Sequence, residues 1–156
     1  MKYAHLAKLT VFSYEHEDIE SILKAFLDFF PFSLEKNKVG LKKKSAAGFN
    51  EKSITIFEAV LAKNSLINQF LGSLLGKLDE SQKDIILGQS ESRLDANLDF
   101  FLRFDKEEWL NDRKLVLTDS GKCFHLKISI AAFPKKRGIA LNLVSNLFSH
   151  KNFNKN

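Results

Sequence analysis

The sequence is poor in the residues that most readily betray a function. It holds one cysteine, two prolines, one methionine and one tryptophan among 156 residues. A single cysteine excludes an internal disulfide framework and a multi-cysteine zinc site. Acidic residues stop early, since no Asp or Glu follows Asp119. No apolar run approaches the ~20 residues a membrane span requires. The uncharged stretch 138–150, as long as any in the chain, is interrupted by Asn142, Ser145 and Asn146. A secretory signal needs a charged start, an apolar run of about 7–15 residues and a small-residue cleavage site. Lys8 breaks the run 3–12, and no such site follows it. A cytoplasmic protein with no membrane association is expected.

What is present describes a globule. Apolar residues make up 44% and charged residues 28%, a folded composition rather than a disordered one. The length fits the size prior of ~100–200 residues for one domain. A chain of this size buries roughly 70% of its unfolded surface and needs no metal staple. One α+β domain over 1–151 is expected, with 152–156 as a frayed tail. The formal charge of +5 is unevenly spread. Lys122, Lys127, Lys135, Lys136, Arg137, Lys151 and Lys155 all lie beyond the last acid, and the chain before them is slightly acidic. Within that acidic part sits a second basic cluster: Lys36, Lys38, Lys42, Lys43, Lys44 and Lys52, with Glu51 among them. Such asymmetry bears on partners, not on fold. Solubility and polyanion contact both remain open.

Periodicity places the elements. Tyr3–Tyr14 reads as a strand. Ile19, Ile22, Leu23, Phe26 and Phe30 recur at helical spacing, with Asp18 and Glu20 at the helix start, where the macrodipole favours carboxylates. Pro31 is expected to stop that helix. A weak strand is expected over Phe32–Val39, a lysine-bearing loop over Gly40–Asn50, and a β-branched strand over Ser53–Lys63. Asn64 or Ser65 should cap a helix with Leu66, Ile67, Phe70, Leu71, Leu74, Leu75 and Leu78 on its apolar face. A short helix follows through Leu87, then a polar connection to Ala96. Asn97–Asp105 and Cys123–Phe133 alternate strictly, the mark of a sheet with one packed face. Between them lie a helical turn, Lys106–Asn111, and a strand, Lys114–Thr118. Pro134 ends the last strand, and Lys135–Lys151 forms a terminal helix. The order is β-α-β-β-α-α-β-β-β-α. It predicts a mostly antiparallel sheet of five to six strands with helices on one face.

Catalytic motifs do not emerge. His5, His16, His125 and His150 form no metal-type pair. His16 among Glu15, Glu17 and Asp18 reads as a charged helix start. Cys123 beside Lys122 could have a depressed thiol pKa, but the start of an alternating strand makes it a packed residue. Gly40 to Ser45 has one glycine before its lysines, so it is no Walker loop. No enzyme, metal or cofactor is expected. The basic set remains. Lys42, Lys43 and Lys44 lie beside Phe49. Lys135, Lys136 and Arg137 surround a helix N-terminus, where backbone amides bind phosphate. Arg103 and Lys127 lie on the polar faces of two strands, with Phe101 beside Arg103. Basic side chains interleaved with an aromatic suit RNA, through phosphates and unstacked bases.

The stretch Arg93-Leu-Asp-Ala-Asn-Leu-Asp-Phe-Phe-Leu-Arg-Phe-Asp-Lys106 resembles the signature of an archaeal family of small RNA-binding proteins, also described as exosome subunits. Gly48-Phe-Asn-Glu-Lys-Ser-Ile54 is similar to that family's glycine turn before an Ile-rich strand, and 128–147 to its last strand and basic helix. Phe49 and Asn50 stand where the family often has a histidine and a second glycine. Glu107, Glu108 and Trp109 stand where it tends to Gln-Ala and a glycine. The resemblance implies a double-stranded-RNA-binding-domain-like fold, akin to the ribosomal protein that contacts 5S rRNA. It implies a non-catalytic RNA-binding protein associated with RNA processing or degradation. Phosphate contacts would be Lys42, Lys43, Lys44, Arg103, Lys106, Lys127, Lys135, Lys136 and Arg137. The expected partners are structured or double-stranded RNA, exosome proteins and a second copy of the chain. The alternative is a protein–protein adaptor or dimerisation module that does not touch RNA.

Overall fold

The computed structural model describes residues 1–47 and 52–149. The glycine turn at Gly48, its neighbours Phe49 to Glu51, and the tail 150–156 lie outside the described residues. Five strands and six helices occur among those described: β1 (Ala4–Tyr14), α1 (Ile19–Leu27), β2 (Leu41–Ala47), β3 (Ser53–Leu61), α2 (Asn64–Lys77), α3 (Glu80–Gly88), α4 (Ser90–Arg93), β4 (Asp99–Asp105), α5 (Lys106–Asp112), β5 (Cys123–Ile130) and α6 (Arg137–Phe148). The strands form one open antiparallel sheet in the order β2-β3-β1-β5-β4. This is the α+β class that the sequence pattern predicts.

Several details depart from expectation, among them the end of α1 at Leu27, before Pro31. Phe32–Val39 is a run of turns, closed by the Val39 amide on the Leu34 carbonyl at 2.9 Å. The strand lies next along, over Leu41–Ala47, in the stretch expected as a loop. Lys114–Thr118 contributes a single bridge, Phe104 to Leu117, and no full strand. The polar connection after α3 holds the short helix α4.

Side-chain caps set several helix starts. Asp18 accepts from the Glu20 amide at 3.2 Å and from Ser21 Oγ at 2.7 Å. Asp79 accepts from the Gln82 amide at 2.9 Å, and Asp105 from the Glu108 amide at 3.0 Å. For α2 the cap position is Lys63, and neither Asn64 nor Ser65 fills it.

The described residues cluster into two compact units. The first comprises 1–7, 61–102 and 127–149. Its core joins Leu66, Ile67, Phe70, Leu71, Leu74 and Leu75 of α2 with Ala140, Val144, Leu147 and Phe148 of α6. Phe148 lies 5.8 Å from Phe100 of β4, centroid to centroid. The second comprises 8–47, 52–60 and 103–126. Here Phe26 meets Phe57 at 6.3 Å, and Phe29 meets Phe104 at 6.3 Å, Phe124 at 4.9 Å and Trp109 at 4.2 Å. The indole of Trp109, 1% exposed, donates to the Ala25 carbonyl at 2.7 Å. That bond gives the one polar atom of the ring a partner as its apolar area is buried. These contacts fix which face of the second unit's strands is covered: the one bearing Phe57, Phe104 and Phe124.

Candidate nucleic-acid interface

Strand alternation sends the other residues to the opposite face. In the second unit this face carries Lys8, Thr10 and Phe12 from β1, Glu58 from β3, Cys123 and His125 from β5, and Arg103 from β4. Phe12 and Arg103 are exposed; Lys8, Thr10, Glu58 and His125 are half-buried. The edge strand β2 extends the face. Its register opposes Lys42 to Glu58, Lys43 to Phe57 and Lys44 to Ile56. Lys42 and Lys44 therefore share the open face with Glu58, whereas Lys43 takes the parity of the covered face. The lysine triplet is split by the strand it lies on.

Glu58 is held between two ammonium groups, Lys8 at 3.6 Å and Lys44 at 3.8 Å. Asp105 has the same parity as Arg103, but its carboxylate caps α5. Arg103 donates to the Asp119 carbonyl at 3.4 Å. Lys42 has no ion pair among the described residues. Among the described residues the open face thus carries Lys8, Lys42, Lys44 and Arg103 together with the ion-paired Glu58.

A hollow of about 180 Å³ is lined by Thr10, Phe12, Arg103, Cys123 and His125 among others. Burial, Arg103 and Lys8 together push the His125 imidazole below its ordinary pKa. Burial likewise raises the Cys123 thiol, against the pull of Arg103 and Lys106. Cys123 is therefore a protonated, buried thiol and not an activated one.

Lys106 departs from the expected role. It is 3% exposed. Its ammonium donates to the Phe12 carbonyl at 2.6 Å and to Glu17 at 2.9 and 3.3 Å, and lies 5.0 Å from the Tyr14 ring centre. All three donors are used within the fold, which leaves none for a phosphate. Burial alone would raise the Glu17 carboxyl, but the Tyr14 amide and the Lys106 ammonium hold it below its usual value.

The remaining basic residues belong to the first unit. Lys127 pairs with Asp99 at 3.6 Å, and Ser129 donates to the same carboxylate at 2.6 Å. Arg137 lays its guanidinium on the Leu94 carbonyl at 3.0 Å and the Glu91 carbonyl at 2.5 Å, tying α6 to α4. Lys135 and Lys136 are exposed and have no ion pair among the described residues. Phe133, 92% exposed, precedes them. Phe101 is half-buried, and its carbonyl accepts from Arg93 at 3.2 Å.

Sequence reasoning missed Lys8 and Phe12. Their signal was present, because alternation against Leu9 and Val11 puts both on the uncovered face. Among the described residues no group of three or more His, Cys, Asp or Glu side chains could hold a metal ion. No described helix is long and apolar enough to cross a membrane.

An antiparallel sheet with one face under helices and the other carrying basic and aromatic side chains defines an α+β protein that presents a sheet surface. The chain belongs to the RNA_binding family, whose model, described as RNA binding, matches residues 7–130. It is similar to the RNA-binding protein PAB1135 of Pyrococcus abyssi, 25% identical over 142 residues, 90% of this chain and 91% of that one. Among solved structures it resembles protein AF2318 of Archaeglobus fulgidus, of the DUF54 family model. The TM-score is 0.81 and the identity 25%, with 92% of this chain and 99% of that chain covered. It also shares its fold with Mth689 of Methanothermobacter thermautotrophicus, at TM-score 0.74 and 23% identity over 94% of this chain and 98% of that one.

Proposed function

We propose that the chain binds RNA without catalysing a reaction on it, and that the open sheet face of the second unit is its principal contact. The observation that carries this is that Lys8, Lys42, Lys44, Arg103 and the exposed ring of Phe12 share one sheet face, where among the described residues Glu58 is the opposing carboxylate not engaged in capping. Lysine and arginine neutralise phosphates and release their counterions. An aromatic ring on the same face offers a surface to bases that have left the helix stack. Lys135 and Lys136, with Phe133 before them, form a second basic and aromatic group in the first unit and are proposed as an additional contact. Lys127 and Arg137 act within the fold, through Asp99 and through α4. Lys106 is no part of the contact.

Fluorescence anisotropy with a labelled RNA across a salt series tests this. Log affinity should fall linearly with log salt, and Lys42→Ala/Lys44→Ala/Arg103→Ala should flatten the slope by about one for each phosphate no longer neutralised. Absence of binding at low salt, or a salt-insensitive affinity, would refute the reading. The link to RNA-processing machinery is tested by purification from cells. Exosome proteins that stay bound after nuclease treatment would add a direct protein contact to the RNA one.

A further inference from the structure

We infer that the hollow between Phe12, Arg103 and His125 receives a single unpaired base of the bound RNA. The base would stack on the Phe12 ring, and Arg103 would meet the adjoining phosphate. The inference rests on the RNA-binding reading and narrows its substrate to RNA with unpaired nucleotides, where the sequence pointed to structured or double-stranded RNA.

Three observations support it. The first is exposure: Phe12 is 41% exposed, while the neighbouring β1 residues Leu9 and Val11 are fully buried in the covered face. Holding a phenyl ring in water forgoes the gain from burial, and a stacked base would restore it. The second is size. A hollow of about 180 Å³ suits one planar ring system, not a duplex or a helix. A-form duplexes keep their bases stacked and expose mainly sugar and phosphate, so recognition of base faces is confined to unpaired nucleotides. The third is the charge around it. Arg103 lies at the rim, with Lys8 and Lys44 farther along the face at Glu58. A strand whose base enters the hollow would find Arg103 beside it and further cations along the face for its phosphates.

The test uses the full chain with two RNAs of one sequence, a single strand and its perfect duplex. The single strand carries one 2-aminopurine, whose fluorescence reports stacking. The wild type should bind the single strand more tightly, with a change in fluorescence. Phe12→Ala should weaken single-strand binding by about ten-fold or more, the range of one base–aromatic stack. It should remove the fluorescence change, keep the salt slope, and leave duplex affinity as it was. Phe12→Tyr should retain wild-type behaviour, and circular dichroism should show both variants folded. Salt-dependent binding by the wild type with no loss in Phe12→Ala, or with equal loss for strand and duplex, would overturn the base hollow and leave the RNA reading standing. No binding of either RNA by the wild type would overturn the RNA reading itself.

Discussion

Two lysine-bearing regions of the second unit use the same side chain in opposite ways. On β2, Lys42 and Lys44 stand in solvent on an edge strand whose every residue is exposed. At the start of α5, Lys106 is buried, and a carbonyl and a carboxylate take its whole hydrogen-bonding capacity. Both count equally towards the net charge of the sequence. Only the first can be part of a field that an approaching polyanion meets. A charge tally therefore measures a footprint only after the ammonium groups consumed inside the fold are removed.

The comparison breaks most visibly at Lys106. Lys106→Ala should cost about 3 kcal/mol of stability, because it leaves Glu17 and the Phe12 carbonyl without their shared partner in a poorly solvated place. Urea unfolding measures this. The RNA affinity of the folded variant should stay within about two-fold of wild type, since the release of counterions from phosphate needs an exposed cation. A larger fall would place Lys106 in the contact after all. Next in size is the division within the triplet. Lys44→Ala should weaken RNA binding by a few-fold at low salt, and Lys43→Ala by clearly less, because the two point to opposite sides of β2. Neither should change stability by more than about 0.5 kcal/mol. Equal reductions in an anisotropy titration would show that strand parity does not govern the contact.

The smallest effect is on the pH profile. The Glu17 carboxyl titrates lower in the folded chain than in the unfolded one. The unfolded state therefore binds more protons in that window, and stability rises with pH across it. The contribution is complete above the ordinary carboxylate pKa of about 4.3 and is lost as pH falls through the folded value. Thermal melts of wild type should drop more steeply on acidification than melts of Glu17→Gln/Lys106→Met, in which this ion pair is gone. Parallel profiles would mean that the pair does not contribute to acid sensitivity.

Much of the fold was legible because burial imposes period. Leu98, Phe100, Leu102 and Phe104 announce β4 and its covered face, and Phe124, Leu126, Ile128 and Ile130 do the same for β5. The edge strand was not legible for the same reason. Leu-Lys-Lys-Lys-Ser-Ala-Ala buries no side chain, so no alternation marks it, and its pairing with β3 is what makes it a strand. Lys106 was misjudged because its partners Phe12 and Glu17 lie 94 and 89 residues away in sequence. Local pattern carries no information about such a meeting. Arg103 and the exposure of Lys135 and Lys136 were within reach of the sequence. The exposure of Phe12 was within reach as well, but in a chain with fifteen phenylalanines an uncovered ring on the sheet face shows only when the packed ones are seen.

The edge position of β2 also governs how molecules of this protein treat one another. An outer strand presents a row of unused amide and carbonyl groups, a template on which a second chain can add. Seven exposed residues ending in Ser-Ala-Ala offer few bulky obstacles to such addition. Three consecutive positive charges do, since two copies brought edge to edge would set lysine against lysine. The cations that would grip phosphate thus also oppose edge-to-edge pairing of two copies, and neutralising them removes that barrier at the same stroke.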